Sequence, residues 1–407
     1  MLKFIHTADL HIDSYPSIYK SDERWQKRFS ESTKKSFEKI INLAIKNGVD
    51  FITIGGDLFD APMPSINGRL FLRKQFLKLK DENINVYIVA GNHDTLSNDF
   101  FKDVESIGNV YLFDADIPSV YHIEKNGVKL DLYGISFKEQ HTERDLSQAI
   151  IEKSQNNNSN NLKIALLHCS MDRLSNKDSV YAPCALNNLI NSNIDIWLLG
   201  HIHKRQILSR QPLIIYPGNI QGRDINEDGE KGAYLISIKN NDIDYEFLPT
   251  ADIIFKRIDL EYDSNKTFMA WIYDEIDKLS QKYIDKQYIF RISLNGYLNK
   301  KEIDKIDMDD LMDSINENAE DNILIEKIEN NLNIEMPDDE HILKEQSTRS
   351  IFLEEYNKII SNGQKIDVEL LKDKRVIKNI IGNLEYDNEI FKKAKALALN
   401  HLTQYEK

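Results

Sequence analysis

Five short clusters of metal-ligand and acid–base residue types punctuate the first 205 residues. They are Asp9 and His11 in HTADLHID, Asp57 in TIGGDLFD, and Asn92, His93 and Asp94 in VAGNHDT, then His168 ending LKIALLH, and His201 and His203 in GHIHK. Imidazoles, carboxylates and one carboxamide suit borderline divalent ions such as Mn²⁺, Fe²⁺ or Zn²⁺. No cysteine is among them, which argues against a structural thiolate zinc site. A spacing of two, as in Asp9/His11 and His201/His203, aims both side chains to one side of an extended segment. The seven candidate ligands Asp9, His11, Asp57, Asn92, His168, His201 and His203 exceed the needs of one ion. The count favours two ions sharing a bridging carboxylate, and ions ~3.5–4 Å apart can activate water and stabilise both oxygens of an in-line phosphoryl displacement. A lone Asp-x-His is usually a turn, and GDLFD alone reads as a strand end with a cap. Five such clusters in one order are hard to reconcile with core packing. His6, inside an apolar run, reads instead as a satisfied structural histidine, and Cys169 as a small buried thiol.

Elements that end where these clusters begin must position them. Short β-rich apolar runs predict strands over Leu2–Thr7, Phe51–Gly55, Asn85–Ala90, Lys129–Ile135, Lys163–Leu167, Ile196–Leu199, Leu213–Tyr216 and Ala233–Ile238. Helical stretches lie at Arg24–Asn47, Asn67–Glu82, Asp145–Lys153 and Cys184–Asn191, and Ser154–Lys163 reads as an exposed loop. Alternating strands and helices indicate an α/β fold, with the polar clusters past the strand ends where open sheets hold ligands. The chain has 407 residues, two cysteines and no ~20-residue apolar run, so the expectation is a cytoplasmic protein of two or three domains with no membrane contact.

The formal net charge is -14, from 52 basic and 66 acidic residues, which alone argues against binding nucleic acid. The acid is uneven: residues 251–407 hold 33 acidic and 23 basic residues, and 301–340 hold 15 and 3. Composition therefore predicts a domain at 1–250 and a small α+β module at 251–345. That module would have strands at Phe255–Leu260, Tyr288–Leu294 and Ile323–Ile328 and helices at Lys266–Tyr283 and Lys301–Asn318. A helical region at 346–407 follows, with helices at Thr348–Ser361, Asp367–Leu371, Ile377–Leu384 and Asn388–Leu402.

The ordered blocks Asp-x-His, Gly-Asp, Gly-Asn-His-Asp, lone His and Gly-His-x-His resemble the calcineurin-like metallophosphoesterases. HTADLHID, GDLFDAPMPS, GHIHKRQIL and the block Tyr216–Ile236 are most similar to SbcD-like DNA repair exonucleases, of the YhaO type in particular. The resemblance implies a β-sandwich flanked by helices, a small α+β capping domain and a helical C-terminal region. It implies one ion, expected to be Mn²⁺, on Asp9, His11, Asp57 and His203, and a second on Asp57, Asn92, His168 and His201. His93 would act on the scissile phosphate or protonate the leaving oxygen, with Asp94 orienting it. Some related nucleases carry a histidine where this chain has Asp60, which is therefore assigned only a supporting place.

The function so implied is metal-dependent hydrolysis of DNA phosphodiesters in end processing and repair. Implied partners are DNA, an SbcC-like coiled-coil ATPase docking near the C-terminus, and a second copy meeting through the first helices, Arg24–Asn47. Arg223, Lys204 and Arg205 are the candidate DNA contacts, Lys231, Arg69, Arg73 and Lys74 are further basic residues, and the acidic stretch 304–340 is expected to face away from phosphate. A phosphoesterase acting on another phosphoester, or a mainly architectural subunit, are the alternatives. GDLFDAP and GNHD depart from the Arg-Gly and Gly-Asn-His-Glu of protein phosphatases.

Overall fold

The computed structural model describes residues 1–14, 23–60, 64–97, 99–171, 181–240, 242–298, 300–303, 305–334, 339–344 and 347–361, and positions 395, 398, 399 and 402. In chain order the first elements are β1 (Leu2–Thr7), α1 (Glu23–Asn47), β2 (Phe51–Ile54), α2 (Ile66–Asp81), β3 (Asn85–Ile88), α3 (Asp99–Glu105) and β4 (Val110–Leu112). They continue with β5 (Ser119–Lys125), β6 (Val128–Ile135), α4 (Leu146–Gln155), β7 (Leu162–His168), α5 (Leu186–Ile190), β8 (Ile196–Gly200), β9 (Gln206–Arg210), β10 (Leu213–Tyr216), β11 (Gly232–Lys239) and β12 (Asp242–Pro249).

Two six-stranded sheets result, ordered β12-β11-β1-β2-β3-β4 and β5-β6-β7-β8-β10-β9. Strands β1 to β4 are mutually parallel, as are β6, β7, β8 and β10; antiparallel pairing adds β11 and β12 beside β1, and β5 and β9 at the two edges of the second sheet, while β4 is a parallel edge strand. One face of each sheet meets the other sheet: Phe4, Phe51 and Tyr87 pack with Leu132, Ile164, Leu166, Ile196 and Leu198. The opposite face of the first sheet (Ile5, Ile52, Ile88) is covered by Phe37, Ile41, Leu72 and Phe76 of α1 and α2. That of the second (Tyr133, Leu167, Trp197) is covered by Ile150 and Leu189 of α4 and α5. Burial on both faces is why these strands read as continuous apolar runs rather than alternating ones. The expected helix-flanked β-sandwich is the fold.

The eight predicted strands and four predicted helices of this region are present, with ends shifted by up to two residues. The unforeseen elements, β4, β5, β9, β12 and α3, are short or lie at sheet edges, where half-exposed residues weaken the apolar signal. The loop expected from Ser154 to Lys163 is shorter: both end residues are buried, and the Lys163 Nζ donates to the carbonyls of Ser154 and Asn157.

Beyond β12 the chain forms β13 (Ile253–Glu261), α6 (Phe268–Lys282), β14 (Gln287–Leu298), α7 (Lys300–Ile303), α8 (Met308–Asn318) and β15 (Ile323–Ile334), with the strands in one sheet ordered β13-β14-β15. One compact unit comprises residues 1–258, 279–291 and 316–327, and the other 259–278, 292–315 and 328–407. The first unit thus runs past the charge step at 250, and within it Trp25, Phe29, Ile225, Ile253, Phe255, Ile289 and Leu324 share one apolar cluster. In the second unit, the single helix expected at Lys301–Asn318 is two. Asp307 accepts the N–H groups of Asp309 and Asp310 and starts α8 afresh. The helix at Thr348–Ser361 is present. The stretches expected at Asp367–Leu371 and Ile377–Leu384 lie outside the described residues, as does most of Asn388–Leu402, where Leu399 packs on Ile342 and Leu353. No helix of the described residues is long and apolar enough to cross a membrane.

Candidate metal centre

The polar clusters converge at one end of the sandwich. Asp9, His11, Asp57 and Asn92 follow β1, β2 and β3 of the first sheet, while His168, His201 and His203 end or follow β7 and β8 of the second. Asp9 N–H donates to Gly56 O, and His11 N–H to Asp57 O, both at 3.0 Å, which ties the first two loops together. Four of the seven carry left-handed backbone: Asp9 (φ 52°), His11 (46°), Asp57 (52°) and His201 (97°). Each such non-glycine residue costs on the order of 1–2 kcal/mol, a cost that concentrates at functional sites.

Two ligand groups form, Asp9–His11–His203 and Asp57–His168–His201, and within each the ligand atoms lie within 4.8 Å of one another. Their hydrogen bonds set the imidazole tautomers. His168 Nδ1–H donates to Gly55 O at 2.8 Å, leaving the lone pair of Nε2 to face Asn92 Oδ1 at 2.9 Å and Asp57 Oδ2 at 3.5 Å. His203 Nδ1–H donates to Glu227 at 2.6 Å, leaving its Nε2 lone pair to face His11 Nε2 at 3.0 Å, while His11 Nδ1 lies 3.0 Å from Asp60 Oδ1. Asn92 Oδ1 also lies 3.2 Å from His201 Nδ1. Lone pairs facing one another repel unless a cation sits between them, and histidine ligands oriented by carboxylates or carbonyls are the usual arrangement around a metal. The donor set therefore fits divalent ions. Burial pushes the His11 imidazole down to about 4 and that of His201 to about 3, and it lowers His168 too. All three are neutral at pH 7, as ligands must be. Burial and the neighbouring Asp57 raise the Asp9 carboxyl well above the ordinary range, a repulsion that bound cations would remove.

Asp57 lies between the groups, its Oδ2 4.0 Å from His11 Nε2 and 3.5 Å from His168 Nε2. Its Oδ1 accepts the His93 N–H at 3.0 Å. The His93 ring borders the site, 5.3 Å from the His11 ring, with its side chain 41% exposed. Asp94 does not orient that ring, contrary to expectation. Its carboxylate accepts the backbone N–H groups of Gly91, Leu58 and Phe59, clasping the Asn92 loop to the Asp57 loop. The ring is held instead by the carbonyl of Asp60, 3.0 Å from Nδ1.

Of the expected DNA contacts, Lys204 and Arg205 are exposed beside the site, and Arg205 lies over the Phe247 ring at 3.7 Å. Arg223 is turned inward: Nη1 donates to Asp60 Oδ1 at 2.9 Å, and Nη2 lies 3.7 Å from Glu227. Lys231 is buried and donates to His203 O. Arg69 pairs with Asp103. Arg223 and Lys231 are thus each engaged within the protein. Glu227 escaped sequence reasoning, although a carboxylate in a turn after Gly-His-x-His is the kind of partner a metal histidine requires. His6 matches its expectation: it is buried, with Nε2 on Leu199 O and Nδ1 3.1 Å from Thr53 Oγ1.

Comparison with known proteins agrees with this geometry. The chain is 36% identical over 287 residues to the metallophosphoesterase YhaO of Bacillus subtilis (strain 168), covering 69% of each chain. It is 26% identical to the DNA double-strand break repair protein Mre11 of Methanocaldococcus jannaschii over 262 residues, covering 62% of this chain and 67% of that one. Identity to the protein of the same name from Methanococcus maripaludis is 26% over 388 residues, covering 89% and 96%. Residues 2–205, which contain all seven candidate ligands, match the calcineurin-like phosphoesterase family, and the chain belongs to it.

Proposed function

We propose that this phosphoesterase is a two-metal DNA nuclease of the SbcD type. The observation that carries the proposal is Asp57, set between two ligand groups with His93 bonded to its free oxygen. The bound ions supply charge that activates water and neutralises the oxygens of a phosphodiester. Asp57 joins the two ligand groups, and Asn92 completes the second. His93, anchored through Nδ1 on Asp60 O, carries a proton on Nε2 to the departing oxygen. DNA as substrate is supported by the printed names of the Mre11 relatives, and Mn²⁺ by the all-nitrogen and oxygen donor set. Exposed Lys204 and Arg205 supply cations at the rim.

The proposal includes an SbcC-like ATPase docked on the C-terminal helical region, tested by truncation after Glu345, which should abolish co-purification and spare metal binding. It also includes a homodimer. Exposed Ile66 (75%) and Leu70 (60%), one turn apart on α2, support a contact there, whereas Trp25, Phe29, Phe37 and Ile41 of α1 are buried. Buried Cys169 and Cys184, whose sulfurs meet at 3.2 Å as thiols and not as a disulfide, support a reducing, cytoplasmic setting.

The test incubates purified protein and Mn²⁺ with linear duplex DNA, single-stranded DNA and a chromogenic phosphodiester, beside Asp57→Ala. Metal-dependent cutting of DNA that Asp57→Ala loses is expected. Turnover of the chromogenic ester without DNA cutting would leave a phosphoesterase of another substrate, and no turnover at all an architectural subunit.

A further inference from the structure

We propose that Arg223 is the positioning residue of the Asp9–His11–His203 group. It clamps Asp60 and Glu227, the carboxylates behind His11 and His203, and so sets how tightly that group holds its ion. This rests on the two-ion site, not on DNA as substrate. Asp60 Oδ1 accepts the Arg223 Nη1–H at 2.9 Å and lies 3.0 Å from His11 Nδ1. On the other side, Glu227 Oε1 receives His203 Nδ1–H at 2.6 Å and lies 3.7 Å from Arg223 Nη2. Glu227 Oε2 is fixed by the Arg223 N–H at 2.9 Å and by Asn219 Nδ2 at 2.7 Å. One residue thus grips Glu227 through its own backbone while its side chain reaches Asp60, 163 positions earlier in the chain. Side-chain exposure of 27% leaves Arg223 enclosed, with Nη1 bonded to Asp60 and Nη2 3.3 Å from His203 Nδ1.

The sign of the effect separates positioning from simple charge. Deleting a cation beside a metal group should, by relief of Coulomb repulsion alone, tighten ion binding. If Arg223 acts by position, its loss lets Asp60 and Glu227 repel each other, the His11 and His203 tautomers are released, and binding weakens. Partners of metal ligands commonly account for ~10–100-fold in affinity.

The experiment titrates chelator-stripped full-length protein with Mn²⁺, by calorimetry and by the free-ion electron paramagnetic resonance signal. It compares wild type with Arg223→Gln, Arg223→Lys and Glu227→Gln, and records Co²⁺ absorption bands of each. The expected result is one of two ions weakened ~10–100-fold in Arg223→Gln and Glu227→Gln, the other ion within about twofold of wild type, a partial loss in Arg223→Lys, and altered Co²⁺ bands. Wild-type or tighter binding of both ions by Arg223→Gln overturns the proposal. Should that variant not fold, Arg223→Lys decides, since unchanged affinities there overturn it equally. Absence of ions from the wild type would refute the two-ion site itself, and a failure to cut DNA leaves these affinities as a separate result.

Discussion

Gly91 offers the sharpest perturbation of the centre. A Cβ added there would lie 2.1 Å from Asp57 Oδ1 and 2.7 Å from Asp57 N. Carbon and oxygen rarely approach closer than 3.0 Å, so in Gly91→Ala the carboxylate must retreat by about 0.9 Å. That movement pulls Oδ1 from its 3.0 Å bond with the His93 N–H and shifts the oxygen that faces both ligand groups. A misplacement of about 1 Å commonly lowers rate by roughly 10²-fold, and overpacking costs about 1–3 kcal/mol of stability. The expected outcome is therefore a ~10²-fold fall in kcat/KM on a phosphodiester with a folded protein whose urea midpoint is modestly lower. Kinetics at saturating Mn²⁺, with a parallel urea melt, measure both. Wild-type turnover with unchanged Mn²⁺ affinity would refute the close packing of Gly91 on Asp57, and with it the placing of Asp57 between the groups.

Other outcomes follow from the same geometry. His93→Asn should bind both ions like wild type yet lose most phosphodiester hydrolysis, and wild-type cutting would remove His93 from proton transfer. Asp94→Ala strips the acceptor from three backbone N–H groups, so it should lower stability by about 2 kcal/mol and impair metal binding, read by denaturant melts and calorimetry. Burial pushes His6 down to about 4, so between pH 6.5 and 4 the unfolded chain takes the proton first and stability falls with pH, by up to about 3 kcal/mol. Urea melts at pH 7 and 4.5 should show a shallower loss in His6→Gln, and equal slopes would count against it.

Much of the centre was legible because its ligands recur at short, ordered spacings just past strands that bury both faces. His201 and His203 need only their own strand end to be recognised. What surrounds them was not legible, because it depends on long-range pairing. Nothing local tells that Arg223 meets Asp60, or that Asp94, adjacent to His93, spends its carboxylate on amides of residues 58, 59 and 91. The same holds for charge: Lys231 and Arg223 look like a basic surface in sequence, yet each is turned onto the backbone or carboxylates behind His203. Edge strand β12 has no continuous apolar run, only the alternation of Asp242, Asp244 and Glu246 with Ile243, Tyr245 and Phe247, and the α7–α8 break arises because one aspartate cap outweighs an otherwise helical stretch.

Each ligand group draws on both sheets: Asp9 and His11 with His203, and Asp57 with His168 and His201. Neither sheet alone presents a full set, and the donors span 9 to 203 in the chain. Ion capture would thus work as a coincidence detector for assembly. On the proposed two-ion function, a nascent chain would gain hydrolytic power only after its sandwich had closed, and each ion, once bound, would tie one sheet to the other. Chelation should accordingly loosen the seam between the sheets before it disturbs the helices outside them.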